Sequence, residues 1–190
     1  KNNTQYASGR DWMVYIAGAT GVNQTYVGNV MDQTHTAYMS LNKTDGASFN
    51  NENWNSAAPT STHFTVGNGV YTNESSRDHI AYLFATKPGI SKVGWYVGSA
   101  GSNIDIDCGF TAGSRFVMIK RLDAHSDWYV WNAERGIVSG NDPYMKTNTT
   151  DQVFICDDYI DPLNAGFTIT SSAPADLNQN GGQYLFLAIA

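Results

Sequence analysis

The chain is short of charge. Only 15% of its 190 residues are Asp, Glu, Lys or Arg, against roughly 25% in ordinary soluble domains. With 11 Lys and Arg and a formal net charge of -6, it is a poor neutraliser of phosphate. That argues against nucleic-acid binding and against adhesion to anionic membrane surfaces. Long apolar runs are missing too. The longest, Ile80 to Ala85 and Tyr184 to Ala190, fall far short of the roughly 20 residues that cross a bilayer as a helix, and no signal-peptide pattern is visible. There are only two cysteines, Cys108 and Cys156. Without a CxxC pair or paired histidines they give no zinc-site spacing, and they read as two buried small hydrophobes rather than as a disulfide. Nucleophile motifs of the GxSxG and SxxK types do not occur. The glycines around Gly18 and Gly21 lack the lysine of a phosphate-binding loop. No cofactor is expected.

In place of charge the chain carries Asn, Thr, Ser and 18 Gly, with 11 Tyr, 8 Phe and 5 Trp. Disordered chains lack aromatics, so this one folds. Thr, Tyr, Trp, Phe and Val favour strands, while Asn and Gly favour the turns between them. Ile104-Asp105-Ile106-Asp107 alternates with period two, as a half-buried strand does. Phe116-Val117-Met118-Ile119 is a continuous apolar run and a candidate core strand, and Val93 to Val97 is rich in aromatics. On a strand Trp128 and Val130 point one way, Tyr129 and Trp131 the other. Sustained helical periodicity is absent; short helical turns are expected at Tyr159 to Asn164 or Ser56 to Ser61. Short strands with frequent turns predict an all-β protein of sandwich or jelly-roll type.

Internal similarity organises the chain. Asp11-Trp12-Met13-Val14-Tyr15 matches Asp127-Trp128-Tyr129-Val130-Trp131. Tyr38 to Asp45 matches Tyr144 to Asp151, His63 to Val66 matches Gly166 to Ile169, and Tyr82 to Phe84 matches Tyr184 to Phe186. The four matches are collinear, which predicts two diverged β-sandwich modules, residues 1–86 and 87–190. The first module has no counterpart of the strands between Ile90 and Arg121, so its opening strands are expected upstream in a longer protein or from another chain. The chain begins at Lys1 without a Met, which fits a fragment or a processed product. Unpaired strand edges attract further strands, so a homo-oligomer is expected.

Residues that could carry chemistry are scattered. His35, His63, His79 and His125 lack metal-ligand spacing, and His63 matches a glycine in the other copy. Asp105 and Asp107 share one strand face; Asp157 and Asp158 lie in a loop with Asp161 following. Such acids serve glycoside hydrolysis or lyase chemistry in pairs, or bind calcium. No calcium-loop pattern is present, so they are read as solvated acids, neither catalytic nor metal-binding. Five Asn-x-Ser/Thr sequons, at Asn2, Asn23, Asn42, Asn73 and Asn148, are read as composition. Among the tryptophans, Trp12 and Trp128 match each other and read as module core. Trp54, in an Asn-rich loop, is the candidate exposed ligand contact.

From Pro88 to Ala190 an ordered set of motifs stands out. It runs through Gly109-Phe110, Phe116 to Arg121, Trp128, Arg135-Gly136, Asn148-Thr149-Thr150, Gly166-Phe167, Asn178, Gly181-Gly182 and Tyr184 to Ala190. This set resembles a repeat module of tailed-bacteriophage virion proteins, many of them from marine phages; Asp11 to Ala85 resembles it more weakly. Asn132 stands where members often carry Asp, and Thr150-Asp151 replaces a commoner Ala-Glu. The resemblance implies a lectin-like or jelly-roll sandwich in a tail fibre, an adhesin or another virion appendage. It implies a virion or extracellular location and contacts with other virion proteins, with copies of the chain itself or with a host surface glycan. It carries no catalytic residues, so the chain is expected not to be an enzyme. Capsid decoration and a glycan-binding module of a secreted bacterial protein are the alternative expectations; a glycoside hydrolase or lyase using Asp105, Asp107 or Asp157 is the remote one.

Overall fold

The computed structural model describes residues 11–16, 20–21 and 35–190. The most apolar segment becomes the centre of the largest sheet. β12 (Gln183–Ile189) lies antiparallel between β5 (Ser91–Val97) and β7 (Phe116–Arg121), with Phe186 opposite both Gly94 and Ile119. A strand with neighbours on both edges and layers on both faces has no wet side, hence the unbroken Tyr-Leu-Phe-Leu-Ala run. Beyond β7 come β8 (Trp128–Asn132) and β9 (Met145–Lys146). At the other edge β2 (Thr20–Gly21) pairs with β5 in parallel.

A second sheet stacks on this one: β10 (Ile160–Leu163), β11 (Gly166–Ile169) and β6 (Ile104–Asp107), all antiparallel. Tyr96, Ile119, Tyr129, Trp131, Tyr184 and Phe186 from the large sheet meet Ile106, Phe167 and Ile169 from the small one. Period-two alternation decides who goes in. Ile106 is buried and its neighbours Asp105 and Asp107 are exposed, as expected. Gly166 has a steric reason: a Cβ there would stand 2.0 Å from the Ile106 carbonyl oxygen. The expected helical turn at 159–164 is instead strand β10. Pro162 is tolerated because β10 is an edge strand. Residues 56–61 are irregular. Among the described residues the helical turns are α1 (Asn51–Trp54) and α2 (Ala175–Asn178). Three buried tyrosines hold α2: Tyr96 and Tyr184 donate to the carbonyls of Leu177 and Ala175, and Tyr129 to Asp176.

The first half of the chain covers the other face of the large sheet. β1 (Met13–Tyr15), β3 (Ala37–Ser40) and β4 (Ser48–Phe49) form a third antiparallel sheet. Ile16, Ala37 and Met39 pack with Trp95, Leu122, Trp128 and Leu185 into a second core. Ala47 N–H donates to Leu122 O and Ser126 N–H to Thr44 O, so loops of the two halves are bonded as well as packed. The chain is an all-β, sandwich-like protein whose two halves share a core. Trp128 and Val130 face this second layer while Tyr129 and Trp131 face the first, so all four are buried.

Two of the four internal matches are realised and two are not. β1 pairs with β3 as β8 pairs with β9: Val14 lies opposite Met39, and Val130 opposite Met145. By contrast, His63 to Val66 is irregular and largely exposed, whereas β11 is fully buried. Tyr82 to Phe84 is irregular too, with Leu83 75% and Phe84 60% exposed, although the same residue types fill β12. A strand needs partners; β12 has β5 and β7, and residues 82–84 lie in none of the described strands.

Candidate functional site

The matched segments build the same polar latch twice. Asn42 Oδ1 accepts from Trp12 N–H at 2.9 Å, and its amide donates to Asp11 at 3.0 Å. Asn148 Oδ1 accepts from Trp128 N–H at 2.8 Å, and its amide donates to Asp127 at 2.7 Å. A lysine closes each: Lys43 on Asp11 at 2.6 Å, Lys146 on Asp127 at 2.7 Å. Burial works to raise the Asp127 carboxyl, but Lys146 and Asn148 outweigh it and hold the group below its usual range. Hydrogen bonding to Asp11 raises Lys43. Two of the five sequons are therefore structural amides, at Asn42 and Asn148. The Asn73 amide is also engaged, on Gly67 O at 2.8 Å. Asn2 and Asn23 lie outside the described residues.

A polar cleft of about 460 Å³ opens beside α1, lined by Asn51, Glu52, Asn55, Val66, Gly67 and Asn68. The Asn50 side chain caps α1 by accepting from Glu52 N–H. The opposite wall is pulled in by Gly67 N–H on Asn53 O at 2.9 Å and Gly69 N–H on Glu52 O at 2.7 Å. Close approach requires the glycine: a Cβ at Gly67 would stand 2.2 Å from Glu52 O. Trp54 is not the exposed contact that its Asn-rich surroundings predict. It is 8% exposed and stands edge-on to Tyr15, with centroids 5.5 Å apart, because the last residue of α1 turns inward. Trp12, expected in the core with Trp128, is half-buried against Tyr82.

The candidate acids separate. Exposed Asp105 accepts from Thr168, and exposed Asp107 accepts from Gly109 N–H. Asp157 accepts from Tyr144. The most buried acid among the described residues stands in the sequence Asn141-Asp142-Pro143. Asp142 is fully buried; its Oδ1 accepts from Val138 N–H at 2.7 Å and its Oδ2 has no partner. Burial, with Asp161 and Asp158 adding to it, pushes its carboxyl up to about 6. Cys108 is buried and its thiol is pushed up to about 12 by burial, whereas Cys156 is exposed, contrary to expectation; both are free. Of the histidines, His35 meets Tyr15 at 2.7 Å and the exposed His125 lies 3.4 Å from Asp45.

A family described as a domain of unknown function, DUF7483, matches residues 8–190. The chain belongs to the DUF7483 family. No curated protein and no solved structure matches it. The DUF7483 match runs without a break across both latches, the cleft and the shared core.

Two further features of this DUF7483 chain escaped sequence reading. Lys120, at the end of an apolar strand, is fully buried; its ammonium donates to Thr44 O at 2.8 Å and to Ser126 O. It thus ties the loop after the first latch to the loop before the second. Burial lowers it to about 8, with the nearby carboxylates of Asp127, Asp176 and Asp45 acting in the opposite direction. The paired latch itself was visible only as a recurrent Asp-Trp followed by Asn. That recurrence was the available signal for a structural rather than a glycan-bearing Asn.

Proposed function

We propose that this protein is a structural or adhesive component of a phage virion, a tail fibre or similar surface appendage, that assembles with copies of itself. The carrying observation is the segment around Leu83 and Phe84. It presents large apolar side chains to solvent, although the same residue types form the centre of the main sheet at Leu185 and Phe186. Contiguous exposed apolar residues mark interaction surfaces, and an irregular segment of strand-forming residue types can be ordered by adding to a strand edge of another copy. The motif set from Gly109 to Ala190 supports the virion context. Light scattering on the purified chain should report an oligomer, and joint Leu83→Asp and Phe84→Asp substitution should shift it toward monomer. A monodisperse wild-type monomer defeats the assembly reading. Imaging of labelled particles decides between fibre and capsid decoration.

The polar cleft favours glycan contact as a second reading. Neutral side-chain amides both donate and accept, which suits a hydroxyl-rich ligand, and Glu52 is the single carboxylate in the lining, where glycoside cleavage ordinarily needs two. Binding on a glycan array should be lost with Asn55→Ala and Asn68→Ala. Binding that survives both substitutions places the contact elsewhere.

A further inference from the structure

The large sheet does not end at β9. Residues 153–155 run along its outer side, where Tyr144 and Phe154 exchange both backbone hydrogen bonds, at 3.0 and 2.9 Å. In an antiparallel pair of that kind the residues on either side turn their N–H and C=O groups away from the partner strand. Val153 and Ile155 therefore aim theirs at the free edge, where no described residue makes a backbone bond to them. Their side chains are exposed as well, at 39% and 65%. Soluble proteins guard such edges with charge or proline. The outer strand β6 carries exposed Asp105 and Asp107, and the outer strand β10 carries Pro162. The edge at 153–155 has neither, since no charged residue stands between Asp151 and Asp157.

At the opposite side of the same sheet the chain carries what such an edge accepts. Residues 79–86 hold no Asp, Glu, Lys or Arg. Tyr82, Leu83 and Phe84 are exposed side chains of strand-forming type, and Leu83 and Phe84 make no backbone hydrogen bond to a described residue. The segment is held at its end: Ser91 Oγ donates to Ala85 O at 2.7 Å, and Lys87 pairs with Ser91. That ties it to the start of β5, five strand spacings from residue 154, or about 24 Å. The chain between Leu83 and Lys87 stretches only about 14 Å. Its own edge is therefore out of reach, while that of a second copy is not. Resting on the assembly proposed above, we infer that residues 81–85 of one copy add as an antiparallel strand to Val153–Ile155 of the next. Charge sets the direction. Antiparallel addition brings Lys87, just beyond the segment's end, to the exposed Asp151 before the receiving strand. Because the giving and receiving strands lie at opposite sides of the sheet, the contact runs head to tail. It builds a ring or a filament and does not close as a twofold dimer.

The test splits the two roles in the intact chain. Leu83→Asp with Phe84→Asp makes a copy that can receive but not give. Ile155→Lys makes one that can give but not receive. Sedimentation should show wild type as an oligomer, each variant alone as a monomer, and an equal mixture of the two as a dimer. Circular dichroism checks that each variant folds; if the paired aspartates prevent it, Phe84→Lys alone takes their place. A second measurement is covalent. Cys156 is exposed and follows the receiving strand, while Cys108 is buried. Of Ala81→Cys, Tyr82→Cys and Leu83→Cys, made singly, at least one should form an intermolecular disulfide to Cys156 under mild oxidation, identified by mass spectrometry of the digest. Wild-type assembly that Ile155→Lys leaves intact overturns the edge contact, while the assembly itself stands. A mixture of the two variants that stays monomeric overturns it too, as does the absence of a Cys156 disulfide from all three cysteine variants. A wild type that is itself monomeric removes both the contact and the assembly.

Discussion

The two latches use the same side chains and the same bonds, yet they sit in different surroundings. In the second, Trp128 is 1% exposed, donates its indole N–H to Ser40 O at 3.0 Å, and fills the core shared by both halves. In the first, Trp12 is half-buried, with Tyr82 as its aromatic neighbour. The hydrogen-bonded unit is therefore local and occurs at both matched segments. What packs over it is not local and differs. The matched segments share a way of closing a two-stranded pair: Leu41 N–H bonds Trp12 O as Thr147 N–H bonds Trp128 O. They do not share a setting, because the sheet that carries the first segment packs its buried face on the sheet that carries the second.

The tryptophans should show this most strongly. Trp128→Ala opens a cavity in the shared core and removes the indole donor from Ser40 O, which keeps Lys43 N–H, so a loss of about 3–5 kcal/mol is expected. Trp12→Ala removes a half-buried ring and should cost about 1–2 kcal/mol. Urea denaturation of the two variants measures the difference; equal losses would mean that the environments are energetically the same, and the comparison would fail.

Lys120 is the tie between the latches, and its pH dependence sharpens the comparison. Its folded value of about 8 lies below the ordinary 10.5. Between those values the unfolded chain binds more protons than the folded one, so stability rises with pH across that window. Below about pH 8 the folded protein carries the full burden of a buried ammonium. Against a Lys120→Met reference, which cancels the other titrating groups, wild type should gain on the order of 2 kcal/mol from pH 7 to pH 10. A flat difference would show that the two carbonyls compensate the charge completely.

Residue pattern made some of this legible and missed the rest for definite reasons. β6, β7, β8 and β12 announce themselves because alternation, or an unbroken apolar run, reports directly how many faces of a strand are covered. The fold class follows from them. Tyr82-Leu83-Phe84 misleads because residue type encodes the capacity to be a core strand, while being one depends on neighbours far away in sequence. Trp54 misleads because its polar neighbours Asn53 and Asn55 look like a solvated loop, yet Asn53 is itself buried, its carbonyl accepting from Gly67 N–H and from Thr72. Asp142 reads as a turn residue before proline. Only the return of the chain at Asp157 puts it in the interior.

The smallest expected effect tests the latch bonds apart from the rings. Asn148→Ala leaves Trp128 N–H without its acceptor and Asp127 without one of its donors, in a place where Asp127 and Lys146 are each only 18% exposed. Asn42→Ala does the same to Trp12 N–H and Asp11; the Asp11 carboxylate is itself only 7% exposed, but Asn42 is exposed where Asn148 is half-buried, and the partner lysine is 47% exposed, so water reaches the Trp12 N–H and the lysine more easily. Unsatisfied groups cost about 1–3 kcal/mol when buried, and less as solvent replaces the lost partner. Asn148→Ala should therefore be the more destabilising of the two by about 1 kcal/mol, read as a difference in urea midpoint at constant slope. If Asn42→Ala proves equal or worse, the hydrogen bonds rather than their covering set the strength of the latch, and solvent access would no longer explain the difference between the copies.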